Sequence, residues 1–243
     1  MKCENGRCGF AARRLARRPA RPDRSRRAAR PGPDPCPGAA GNSLCGAEHG
    51  MCRGAGDARL INAILDVASR HGRLDVVHSH AGVQVAGRLD QIDVKQLDLS
   101  WRLNVRAPFL AAQAAMRVMA PAGQGSIIVT ASNSGVQHDR QMIAYCTTKH
   151  AVIAMVRQIA VDFAGAGIRC NALCPGFIDT PFNAGFEHQM GGRRELERYI
   201  KQNIPMGRWD RPDEIAEAIV YLASDKSSFM TGHALVIDGA KSL

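Results

Sequence analysis

The densest chemical signal in the chain is the stretch AYCTTKHAV, in which Tyr145 and Lys149 stand four residues apart near the start of an apolar, helix-compatible run. On a helix that spacing puts both side chains on one face. A free tyrosine, with a pKa of about 10, is a poor proton carrier near neutrality. A neighbouring ammonium favours the phenolate and brings the group within working range, so that it can protonate a carbonyl oxygen or take the proton of an alcohol. Ser132 closes the apolar run GSIIVTAS thirteen residues earlier, and its hydroxyl could hold the same substrate oxygen. Ser134 competes for that role by proximity. Asn104 lies inside a long helical pattern, where an amide is not favoured by propensity; it could hold a water that relays protons from Lys149, or mark a local distortion of the helix.

The elements around these residues alternate in period. ARLINAILDVASRHG has a helical spacing of apolar residues ended by Gly72, and LDVVHSHAG reads as a short buried strand running into a glycine turn. A polar helical stretch around 93–99 and a long helix from about Trp101 to Met119, with Pro121 just beyond its end, lead to the second strand, GSIIVTAS. A helix over 143–164 precedes the strand GIRCNALCPG. A charged helix is expected over 187–202, another from Pro212 to Ala223, and a last strand in HALVIDG. Short apolar strands separated by helices predict an α/β fold with a parallel sheet covered on both faces. Ligands in such sheets bind beyond the carboxyl ends of the strands, where His80–Gly82, Ser132 and Pro175–Thr180 fall.

Composition separates the first quarter of the chain from the rest. The 243 residues carry a net charge of +10, but 1–59 hold 13 Lys and Arg against 5 Asp and Glu, and 60–243 hold 19 against 17. The segment 13–56 is rich in Arg, Ala, Pro and Gly, and Pro31, Pro33, Pro35 and Pro37 forbid helix and central strand alike, so 1–57 is expected to be disordered and 58–243 to form the catalytic domain. The arginines have no aromatic platform or recognition-helix pattern among them, so nucleic-acid binding is not expected. No run of 18 apolar residues suggests a membrane span, the basic opening lacks the apolar centre of a secretory signal, and a cytoplasmic location is the default. Cys45, His49 and Cys52 lack a fourth ligand, and no metal site is expected. Cys146 and Cys174, beside the candidate site, could make it thiol-sensitive.

The blocks LDVVHSHAG, WRLNVRAPF, GSIIVTASNSG, YCTTK, NALCPGFIDTP and GRWDRPDEIAEAIVYLASDKSSFMTGHALVIDG follow one another in an order and spacing that resembles the short-chain dehydrogenase/reductase family in its smaller, classical type, over about residues 60–239. The resemblance implies a Rossmann-like, doubly wound, three-layer α/β fold. It implies a catalytic tetrad at Asn104, Ser132, Tyr145 and Lys149, and its spacing to Tyr145 selects Ser132 over Ser134. It further implies a nicotinamide site, for NAD or NADP, lined by His80, Ala81, Gly82, Tyr145, Lys149, Pro175, Gly176, Ile178 and Thr180. A small carbonyl or secondary alcohol is the implied substrate, under a lid at 182–202, and a homo-oligomer (dimer or tetramer) the implied assembly. Phe182, Phe186, Met190, Arg193 and Arg194 in that lid suit an apolar substrate with an anionic tail, although a sugar or a cyclic alcohol is equally open.

Three departures qualify the resemblance. Ser79-His80-Ala81-Gly82 stands where the family has Asn-Asn-Ala-Gly, a change that could make the site pH-sensitive. The opening strand and Gly-rich phosphate turn are not recognisable, since Gly6 and Gly9 echo them with no apolar strand before and no third glycine. The second and third strands are replaced by Pro/Arg/Gly text, with Arg53 near the position of the acidic residue that recognises the adenine end. The first βαβαβ portion is therefore atypical or missing. Up to about Gly56 the text reads either as a GC-rich gene translated in a wrong frame or from a wrong start, or as a genuine basic tail on a degenerate member. A non-catalytic scaffold with impaired cofactor binding is the alternative function.

Overall fold

The apolar runs VVHS, GSIIVT, IRCNALCP and ALVI become four strands because each is flanked by turn-forming residues and is rich in branched or small apolar side chains. The computed structural model describes residues 55–243. The strands are β1 (Val76–Ser79), β2 (Gly125–Thr130), β3 (Ile168–Pro175) and β4 (Ala234–Ile237). All pair in parallel in the order β1-β2-β3-β4, with Ile128 opposite His78 on one side and Asn171 on the other. Among the described residues β1 pairs with β2 alone. Gly6, Gly9 and Arg53, where the family's opening elements would fall, and Cys45, His49 and Cys52 lie outside the described residues.

Helices cover both faces, as a parallel sheet requires. Alternate residues of β2 and β3 point to opposite sides. Ile127, Val129, Cys170, Ala172 and Cys174 pack with Met119, Val152 and Val156 of α3 (Ala107–Ala122) and α4 (Ile143–Phe163), while Ile128 and Leu173 pack with Ile215 and Leu222 of α7 (Pro212–Ala223). Helix α1 (Ala55–His71) lies against α3. This is the doubly wound, three-layer Rossmann-like arrangement.

Three expectations change. The long helix from Trp101 is divided: α2 (Val94–Trp101) runs into a π-helical turn at Arg102–Arg106 before α3 continues. Pro121 lies inside the last turn of α3, which ends at Gly123 in the left-handed region at φ 68°. The charged helix over 187–202 is two helices, α5 (Ala184–Gln189) and α6 (Arg193–Asn203), divided at Gly191 and Gly192, whose φ of 93° and 110° a helix cannot accommodate. The lid has a small apolar cluster of its own, with Leu196, Ile200 and Ile204 buried against Phe177, Phe186, Tyr199 and Trp209.

Candidate active site

The strand ends deliver the site. Thr130 ends β2, and Ala131 N–H still bonds to the Leu173 carbonyl at 2.7 Å, which fixes Ser132 immediately beyond the sheet. Ser132 Oγ accepts the Ser134 N–H at 3.1 Å and opens the short 3₁₀ turn Asn133–Gly135. That turn sits directly on α4: a Cβ on Gly135 would come within 2.8 Å of both the Lys149 carbonyl oxygen and Ile153 Cδ1. Glycine there lets the serine-bearing loop approach the helix that carries Tyr145 and Lys149.

The two α4 residues are both buried. Lys149 is 3% exposed, and its Nζ donates to the Thr130 carbonyl at 2.9 Å and stands 5.6 Å from the Tyr145 ring centroid. Burial brings the Lys149 amine down to about 8. Burial pushes the Tyr145 phenol up to about 12; the Ser132 hydroxyl opposes the rise, while Cys146 and Asp139 add to it. The expectation that the ammonium would make the phenol more acidic is therefore reversed in this protein. Removal of the phenolate from water is the dominant cause of the rise.

Asn104 occupies the π-helical turn and is buried. Its Oδ1 accepts the Val83 N–H at 2.8 Å, and its Nδ2 faces the Val83 carbonyl at 2.9 Å, Thr148 Oγ1 at 3.0 Å and Ser100 Oγ at 3.1 Å. Protein groups thus take up the side-chain amide, which ties the turn after β1 to α4. Of the two readings of Asn104, the structure displays the helix distortion. At that turn His80 Nδ1 lies 3.1 Å from Thr130 Oγ1, with His78 Nε2 2.8 Å from the same oxygen.

A cavity of about 310 Å³ opens at these strand ends. Its lining includes His80, Ala81, Gly82, Ser132, Tyr145, Lys149, Pro175, Gly176, Ile178 and Thr180, while Asn104 sits one layer behind it. Phe182 and Phe186 cover it, Met190 packs into the lid's own cluster, and neither Arg193 nor Arg194 lines it. Arg193 pairs with Asp179 and Glu197, each at 2.8 Å, and stacks over Trp209 at 4.3 Å. The anionic-tail expectation thus loses its arginines. The cavity also takes in Gln84, Asp139 and Met142, which sequence reading passed over, and Phe177, which falls within the expected Pro175–Thr180 stretch. Asp139 stands beside Arg140 in the sequence, and no local pattern there signals a place in the site.

No helix among the described residues is long and apolar enough to cross a membrane, and no group of three or more His, Cys, Asp or Glu there is placed to hold a metal. The three described cysteines are buried, and burial raises Cys146, Cys170 (to about 12) and Cys174 (to about 11). The expected thiol sensitivity is opposed by that shift.

A family model described as enoyl-(acyl carrier protein) reductase matches residues 55–240. The chain belongs to the short-chain dehydrogenase/reductase family. It is 37% identical over 179 residues to 2-keto-3-deoxy-L-fuconate dehydrogenase of Xanthomonas campestris, a match covering 73% of this chain and 60% of that enzyme. D-threitol dehydrogenase of Mycolicibacterium smegmatis is 34% identical over 195 residues, covering 80% of this chain and 73% of that one. Among solved structures, a gluconate 5-dehydrogenase from Burkholderia cenocepacia in complex with NADP and tartrate superposes with a TM-score of 0.71 at 30% identity, covering 76% of this chain and 71% of that chain.

Proposed function

We propose that the chain is a nicotinamide-dependent oxidoreductase that interconverts a small carbonyl compound and its secondary alcohol. One observation carries the reading: Ser132, from the loop after β2, and Tyr145 and Lys149, from α4, face one cavity at the carboxyl ends of the strands. The nicotinamide–ribose half of a dinucleotide fits this wall. Lys149 Nζ has three donors and gives one to Thr130, leaving two for ribose hydroxyls, and Pro175, Gly176, Ile178 and Thr180 line the same cavity and would flank the ring. A bound nicotinamide supplies or receives the hydride, and family relatives include an NADP-bound enzyme.

The protein's own part is the proton. A phenol held at about 12 stays protonated at neutral pH and is set to donate to the oxygen of a carbonyl undergoing reduction. Ser132 would hold that oxygen by a second hydrogen bond, and Lys149 would replace the proton lost from Tyr145, a role that an amine near 8 can fill. Asn104 would keep the turn at 82–83 in register beneath the cofactor. In this reading the catalytic domain, expected from 58, begins with α1 at Ala55, and the residues before it are a basic extension. Exposed apolar residues on α3, α4 and α7, namely Phe109, Val161 and Val220, support a homo-oligomer.

The test is titration of the full chain with NADH and with NADPH, following nicotinamide fluorescence, and then oxidation of a panel of secondary alcohols. Saturable binding of one cofactor and turnover that depends on it are expected. If neither cofactor binds, the scaffold reading takes its place.

A further inference from the structure

The segment after β4 turns back against the cavity wall. Gly239 and Ala240 both take left-handed backbone, with φ of 63° and 70°. At Ala240 a Cβ makes that conformation cost ~1 kcal/mol, so the surroundings hold it in place. The turn delivers Lys241, whose side chain is 6% exposed and whose Nζ donates to Asp139 Oδ1 at 2.9 Å. This is the least exposed ion pair among the described residues, with Asp139 at 21%. Asp139 Oδ2 accepts the Ser134 hydroxyl at 2.6 Å, and Oδ1 also faces Gln137 Nε2 at 3.4 Å.

A carboxylate has about four acceptor positions and, when ionised, no donor. Three protein donors leave one position on a group that lines the same cavity as Ser132 and Tyr145. What it can take from the cavity is therefore a hydrogen-bond donor. Lys241 already neutralises its charge, so a hydroxyl suits it better than a cation. The same lining carries the apolar Met142, Phe182 and Phe186 and the polar Gln84 and Asn183, and Asn183 already gives its amide N–H to the Ile178 carbonyl.

We propose that Asp139 is a specificity-determining residue that accepts a hydrogen bond from a hydroxyl beside the reacting carbon, with Lys241 positioning it, so that the substrates are hydroxyketones and the corresponding vicinal diols. This rests on the hydride-transfer reading above. The competing view is that Asp139 and Lys241 merely tether the chain end.

The probes are trans-cyclohexane-1,2-diol and cyclohexanol, which differ by one hydroxyl. Affinity of the full chain for each is measured without cofactor by ligand-observed NMR, and oxidation of each is then measured with NAD and NADP. The diol is expected to be preferred by about tenfold or more in both measurements. Asp139→Leu should bring the ratio to about one, and Asp139→Asn, which keeps the volume, should lower it severalfold even if the leucine variant does not fold. Lys241→Met should also lower the ratio and Lys241→Arg restore it, which a mere tether would not do. Absence of a preference, or a preference that survives both Asp139 variants, overturns the assignment. Oxidation of both alcohols without preference overturns it while the hydride reading stands. Asp139-dependent binding with no oxidation upholds the hydroxyl contact at Asp139, removes the hydride reading, and with it overturns the assignment of these molecules as substrates.

Discussion

Lys149 Nζ stands 5.6 Å from the centroid of the Tyr145 ring, and both side chains are buried beneath the loop that bears Ser132. Burial acts on the two in opposite directions. It takes the charge-bearing form away from each, moving the amine down to about 8 and the phenol up to about 12. As found, the pair is a protonated phenol beside an amine that titrates just above neutrality.

Tyr145→Phe removes the proton and almost no volume. Turnover should fall by about 10²–10⁴, with the thermal unfolding midpoint changed little. Steady-state rates and circular dichroism melts check both halves. A variant that turns over at the wild-type rate would remove Tyr145 from the reaction.

Lys149 also writes itself into the stability of the protein. Its amine is lowered from 10.5 to about 8 in the folded state, so between those values the unfolded chain binds the extra proton. Its contribution is fully present above 10.5 and is lost as pH falls to 8, a swing of up to ~3 kcal/mol. Lys149→Met lacks this dependence and should gain on the wild type as pH is lowered from 10 to 7. Urea unfolding of both proteins across that range measures the difference, and parallel curves would contradict it. Tyr145 is common to both chains, and its own effect begins only above its unfolded value of 10.

Gly135→Ala should hurt both fold and activity. The new methyl would meet a backbone carbonyl, that of Lys149, at 2.8 Å, and that carbonyl cannot swing aside. A loss of about 1–3 kcal/mol is expected, together with reduced kcat as Ser132 is lifted from α4. Chemical denaturation and kinetics at saturating substrate report the two effects.

Cys146, Cys170 and Cys174 should resist alkylation. The thiolate is the reactive form, and burial holds all three above their ordinary 9.0. Iodoacetamide at pH 7.5 followed by peptide mass mapping should leave these three unmodified in the native protein and label them after denaturation.

The chemistry was legible where it depended on local spacing. A spacing of four positions from Tyr145 to Lys149 implies one helical face, and the apolar run before Ser132 implies a strand end. Asp139 was not legible, because its meaning comes from Lys241, 102 residues further along, and no local pattern joins them. The π-helical turn at Arg102–Arg106 was equally hidden, since Asn104 earns that distortion through bonds to Val83 and Thr148 on other elements. The division of the lid was readable in principle, because paired glycines at 191 and 192 break helices. The phenol's shift ran against expectation because charge proximity can be inferred from spacing, whereas desolvation requires knowing what covers the pair.

The lid's separate apolar cluster has an evolutionary corollary. Leu196, Ile200 and Ile204 draw their packing from Phe177, Tyr199 and Trp209 and not from the sheet's main core. Outside Phe186, which also packs against the Tyr145 cluster, mutations across 182–206 can accordingly drift, and the range of accepted molecules with them, while the proton-handling residues stay held at the strand ends and on α4. Swapping this stretch between homologues is a practical route to new selectivity on an unchanged chassis.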